Sequence, residues 1–201
     1  MPGGEYHEEN EQMKTRPKIV INAPVVIGFT AMMFAATLLG ILTGGRSTRL
    51  LFQTYHSSLA SPLTYVRLFT HVLGHSGWSH FMGNATYILL LGPMMEEKYG
   101  SSSLVKVILI TAFVTGVVNY IFFPSVALCG ASGVVFAFII LTSFTGFKTG
   151  EIPLTFILIA AVFIGQQIYE GVFVNDNVSQ LTHIIGGIVG AAIGYKWNRK
   201  S

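Results

Sequence analysis

Two histidines and an asparagine, His75, His80 and Asn84, stand in the stretch HSGWSHFMGN (75–84), directly ahead of the apolar run ATYILLLGPMM. Ser132 lies in Gly130-Ala131-Ser132-Gly133, and His183 opens the run HIIGGIVGAAIG. These residue types suit acyl transfer. A serine hydroxyl becomes a nucleophile once a base takes its proton, and an imidazole is a common base. The tetrahedral oxyanion that follows needs donors, and His80, Asn84 and the Ser132 amide can supply them. The glycines around Ser132 permit a tight backbone and a helix that starts at the serine, its first amides turned toward developing negative charge. His80 and Asn84, spaced i, i+4, share a helix face about 6 Å apart along its axis.

These groups must be positioned by elements dissolved in lipid. Of 201 residues, 51 % are hydrophobic and only 10 % charged, with a mean hydropathy of +0.59. Soluble domains carry about 25 % charged residues. A spanning helix needs roughly 20 mostly apolar residues, and six segments qualify: 24–43, 79–96, 104–123, 131–147, 153–172 and 179–196. Residues 1–22 read as a short disordered tail without the features of a secretory signal peptide, and 23–198 as a single six-helix membrane domain. The net charge of +3 is scattered near segment ends, which argues against a nucleic-acid partner. One cysteine, Cys129, excludes an internal disulfide framework and a cysteine-built zinc site.

Lys14, Arg16, Lys18, Lys98, Lys106, Lys148, Lys196, Arg199 and Lys200 fall on one side of the six spans, and Arg46, Arg49 and Arg67 on the other. The nine-residue side is therefore expected to be cytoplasmic, with both termini inside. The loop 44–78 is then outside, and its apolar stretches LLF (50–52) and PLTYVRLF (62–69) are expected to dip into the interface. With this orientation His80, Asn84, Ser132 and His183 all lie in the first turns of inward-running helices, at one depth. Ionisable groups in lipid are costly and mark function by default. A lone GxSG means little, since Gly and Ser also serve helix packing; four such groups at one depth are far more specific. Thr182, Gly186, Gly190 and Gly194 form a stripe of small residues along the sixth segment, which lets a neighbouring helix approach closely. If the fourth segment is that neighbour, His183 comes within reach of Ser132, and Phe136, one turn after the serine, is placed to stack on the imidazole.

On these residues the chain resembles the rhomboid intramembrane serine proteases over about 60–197. The matching pattern is His75-x4-His80-x3-Asn84, Gly130-x-Ser132-Gly133, and His183 followed by Gly186 and Gly190, with Arg67, Glu96 and Gly100 also fitting. The resemblance implies an all-α, six-span bundle with a long outer loop between the first two spans. It implies Ser132 as nucleophile and His183 as general base, without an aspartate, and His80 and Asn84 as oxyanion donors. His75 and Arg67 would support the outer loop and Glu96 the inner end of the second span. The family cuts membrane-anchored substrates near the outer edge of the bilayer and uses no metal or cofactor, so the implied partners are transmembrane proteins and lipid. Val66 replaces a tryptophan frequent before the loop arginine, Phe136 a tyrosine found in some members, and Gly83 an aromatic. The short tail suggests a bacterial plasma membrane.

Other readings compete. His71, His75 and His80 could suggest a metal, but no HExxH and no following carboxylate accompany them. A non-catalytic member of the family, which binds membrane helices without cutting them, typically lacks the serine or the histidine. A transporter should carry polar groups through the full thickness of the membrane, whereas here they gather toward one edge, Asn119, Gln166, Gln167 and Glu170 included. Cys129 reads as a small packing residue, and the loop 173–178 and the fifth segment as candidate gates.

Overall fold

Long apolar runs punctuated by glycine and proline fold here into helices. A computed structural model describes residues 18–144, 153–173 and 177–198. In chain order these form α1 (Pro24–Leu42), α2 (Arg46–Leu51), α3 (Pro62–Thr70), α4 (Trp78–Tyr99), α5 (Ser101–Phe122), α6 (Ser132–Ser143), α7 (Leu154–Phe173) and α8 (Asn177–Asn198). The expected tail lies mostly outside the described residues, as do 145–152, with Lys148, and 174–176 of the proposed cap. Backbone is described at Gln166, Gln167 and Glu170, but their side chains are not.

Pro24 and Pro62 sit in the first turns of α1 and α3, where a missing N–H costs nothing. Gly44 and Gly45, at φ 60° and 84°, turn the chain from α1 into α2, and Gly100, at φ 82°, turns it from α4 into α5. The loop 44–78 thus contains two short helices: Leu50 and Leu51 close α2, with Phe52 as its cap, and the stretch 62–69 falls in α3. By length and composition α1 and α5 can each cross a bilayer; α6 is apolar but has only 12 residues. The outer faces carry large exposed apolar side chains, among them Leu42, Leu90, Phe122 and Val162. Such a surface suits lipid rather than water.

Helix α6 is the hub, in contact with α4, α5, α7 and α8. Its Val134, Ala137, Phe138 and Leu141 are wholly buried. The core continues between α1 and α4 through Val26, Phe29, Met33, Ala85 and Ile88. Gly92 lets these two helices close: a Cβ there would sit 2.6 Å from a Val26 methyl.

The start of α1 is satisfied by a carboxylate from another helix. The first amides of a helix have no partner of their own. Here the Val25 and Val26 amides donate to Glu96 Oε1 and Oε2, both at 3.0 Å, and the Ser101 hydroxyl donates to Oε1 at 2.7 Å. The negative charge also suits the positive end of the helix dipole. Glu96 is only 5 % exposed, so its removal leaves buried donors unpaired. Glu96→Ala is expected to cost about 1–3 kcal/mol, read as a lower thermal midpoint in detergent; an unchanged midpoint would show that this tie contributes nothing.

Candidate active site

Backbone and side-chain hydrogen bonds hold the loop ahead of α6. Thr54 and Leu128 exchange two backbone bonds of 2.9 and 2.8 Å. The Asn119 amide donates to the Thr54 and Val126 carbonyls, at 3.3 and 3.1 Å. The Gly130 amide donates to the His71 carbonyl at 2.9 Å. His71 is itself locked: its Nδ1 donates to the Arg67 carbonyl at 3.2 Å, and its Nε2 lies 3.2 Å from the Thr115 hydroxyl. Arg67 Nε donates to the Leu50 carbonyl at 2.8 Å, and its guanidinium lies 4.5 Å from the centre of the Tyr55 ring. Thr54, His71 and Asn119 thus take part in holding the serine loop, which sequence reasoning missed.

At Gly130 the chain has φ 125°, a conformation open to glycine. A Cβ here would stand 2.7 Å from both Cε1 and Nε2 of His80 and 3.9 Å from Asn84 Nδ2. The serine loop and the polar start of α4 are therefore in direct contact. Asn84 Nδ2 donates one hydrogen to the His80 carbonyl at 3.1 Å, leaving the second for another acceptor. Ser76 Oγ lies 3.2 Å from His80 Nδ1. When the hydroxyl donates there, His80 carries its proton on Nε2, the ring atom beside Gly130. His75 packs edge-on against His80, with ring centres 5.0 Å apart.

Ser132 opens α6, half-buried. The stripe on α8 runs along the same helix. Gly186 faces the Gly133 backbone, Gly190 faces Ala137, and Gly194 faces Leu141 and Phe144. Gly133 in turn faces Thr182, its hypothetical Cβ 3.4 Å from the threonine methyl. Ser132 and His183 are the chain neighbours of this Gly133–Thr182 contact. One turn along, the Phe136 ring lies 4.3 Å from the His183 imidazole, tilted by 37°. The sequence-derived residues thus gather in two contacts, Gly130 with His80 and Asn84, and α6 with α8 at Gly133 and Gly186. Arg67 and Glu96 stand away from both, each in its own tie.

Burial sets the protonation of the loop histidines. It pushes His71 down from 6.5 to about 4. Burial does the same to His75, also to about 4, helped by repulsion from His80 and opposed by the bond to the Leu73 carbonyl. Both are neutral in the folded chain at neutral pH. Below pH 6.5 the unfolded chain takes up protons that the folded chain refuses. The stability these two residues hold is therefore complete above pH 6.5 and is lost progressively as pH falls toward 4. The thermal midpoint is expected to fall across this window; a flat profile would refute it. Burial also pushes the Cys129 thiol up, which disfavours a thiolate.

A family model for the rhomboid domain matches residues 62–200. The chain is 32 % identical over 158 residues to rhomboid-related protein 2 of Mus musculus, covering 68 % of this chain and 52 % of that protein. It is 28 % identical over 138 residues to rhomboid-related protein 1 of Caenorhabditis elegans, covering 64 % of this chain and 39 % of that one. It is 28 % identical over 133 residues to rhomboid protease GlpG of Haemophilus influenzae, covering 64 % of this chain and 68 % of the relative. The chain thus spans about half or less of the length of the two animal relatives.

Proposed function

The chain belongs to the rhomboid family of integral membrane proteins, and from that membership we propose that it is an intramembrane serine protease working through a Ser132–His183 dyad. The observation that carries the reading is the α6–α8 crossing, where the neighbours of the Gly133–Thr182 contact are a serine and a histidine. In this reading His183 takes the Ser132 proton as Oγ attacks the scissile carbonyl carbon. The carbonyl oxygen, now an oxyanion, receives hydrogen bonds from His80 Nε2, the free Asn84 amide hydrogen and the Ser132 backbone amide. Collapse of the intermediate breaks the C–N bond, and the leaving amine takes the proton from His183. Water, deprotonated by the same imidazole, then attacks the acyl carbon; the ester C–O bond breaks, and Ser132 Oγ takes the proton back from His183. Phe136 flanks the imidazole and favours its charged form as it develops.

Six helices, α1 and α4 to α8, are the proposed spans, with both termini cytoplasmic and a bacterial plasma membrane as the setting. Ser132 opens α6, which puts the proposed nucleophile at the outer end of a span, where a substrate helix would be met. The proposed substrates are transmembrane proteins, cut near that face. The test is cleavage of a single-span substrate by the chain reconstituted in liposomes, with labelling by a fluorophosphonate probe. Cleavage with Ser132 labelled supports the protease. Neither cleavage across several substrates nor labelling would favour a non-catalytic helix-binding member of the family.

A further inference from the structure

A cavity of about 590 Å³ opens beside the proposed site, its lining including Arg46, Arg49, Gln53, His75, Ser76 and Cys129. The volume is in the range of small-ligand sites. Arg46 and Arg49 are exposed, and neither has an ion-pair partner among the described residues. The cavity lining therefore carries uncompensated positive charge.

The setting says where such a ligand comes from. The last turn of α1 exposes Leu38, Leu39, Ile41 and Leu42, and the Gly44-Gly45 turn leads straight into Arg46. Apolar surface below and arginines immediately above match acyl chains ending in a phosphate.

We propose that this cavity is a lipid headgroup site, taking an anionic glycerol phosphodiester of the phosphatidylglycerol type, with the phosphate on Arg46 and Arg49. Ser76, also in the wall, bonds His80, so the headgroup would border the proposed oxyanion donors. The site does not depend on Ser132 being a nucleophile, and its test reads binding rather than cleavage.

The full chain is purified and titrated with short-chain phosphatidylglycerol, phosphatidylcholine and free glycerol phosphate, with bound lipid counted by native mass spectrometry. Phosphatidylglycerol is expected to bind at least ~10-fold more tightly than phosphatidylcholine, since its net negative charge meets two arginines at the surface. Arg46→Gln with Arg49→Gln should remove that preference, and the paired lysine variant should keep part of it. Both arginines are exposed, so the variants should fold, which a thermal melt checks. Equal binding of the two lipids, or a preference that survives the double glutamine variant, would overturn the site. Free glycerol phosphate binding as tightly as the lipid would overturn the lipid as its source. Displacement by an acidic peptide at lower concentration than lipid would reassign the cavity to a polypeptide.

Discussion

Ser132→Ala and His183→Ala are each expected to lower the cleavage rate by on the order of 10⁴-fold or more, and the double variant should be no worse than either alone. In the proposed dyad serine and base act as one unit, so losing either ends nucleophilic attack, and a second loss has nothing left to remove. The geometry gives a reason to expect equal severity. His183 is carried on α8 one turn before the tight contact of Gly186 with Gly133, beside Phe136, and no other described imidazole shares that contact. Removing a single oxyanion donor is gentler, about 10²–10³-fold, since the remaining donors still act; Asn84→Ala belongs in that class. Rates are measured on a reconstituted single-span substrate, with each variant's melting checked. Equal cleavage by wild type and both variants would point to a contaminating protease and leave Ser132 without support. Loss in Ser132→Ala alone would keep the nucleophile and send the search for the base elsewhere.

Which parts of this arrangement could be read from the sequence follows from the range of the interaction behind each. Helices are local, and apolar runs bounded by Gly and Pro marked all six long elements; α1 at 24–42 and α5 at 101–122 lie within three residues of the expected ends. The fourth segment, expected over 131–147, appears as α6 over 132–143, because its far end runs into residues outside the description. The stripe Thr182-Gly186-Gly190-Gly194 was legible as a close-packing face because small residues recur every four positions, and the contacts with Gly133, Ala137 and Leu141 now name its partner. The helical character of the loop 44–78 was harder. α2 has only six residues, too few for a period to show. The ties of the serine loop were invisible for a different reason. Thr54 pairs with Leu128 as an isolated bridge, and a single pair of residues has no periodicity. Glu96 could be marked only by resemblance, since its partners are amides 70 and 71 residues away and an amide has no residue type to recognise. Asn119 was read as one more polar group at a helix end; its two carbonyl acceptors come from loop backbone.

The close crossing of α6 and α8 makes a second prediction with a large effect, and it needs only one methyl group. A Cβ at Gly186 would collide with the carbonyl, Cα and carbonyl carbon of Gly133. These are backbone atoms inside a helix, so no rotamer change relieves the overlap and the two helices must move apart. Gly186→Ala is therefore expected to cost about 1–3 kcal/mol by overpacking. It should also slow cleavage by about 10²-fold, as a misplacement of roughly 1 Å between reacting groups does. Gly194→Ala meets the Phe144 ring and a Leu141 methyl instead, at 2.7 and 3.2 Å, which are side chains able to shift. Its effect should be smaller in both readouts. Gly28→Ala on α1 meets nothing within 4 Å and should leave the melting point unchanged or higher, since alanine favours a helix by about 1 kcal/mol over glycine. The order Gly186, Gly194, Gly28 in thermal midpoint and in cleavage rate is the signature of a site assembled by helix approach. If Gly186→Ala melts and cleaves as wild type does, the crossing does not set the distance between Ser132 and His183. If it melts normally but no longer cleaves, the crossing governs alignment more than stability, and a larger residue such as Gly186→Val should then lose both.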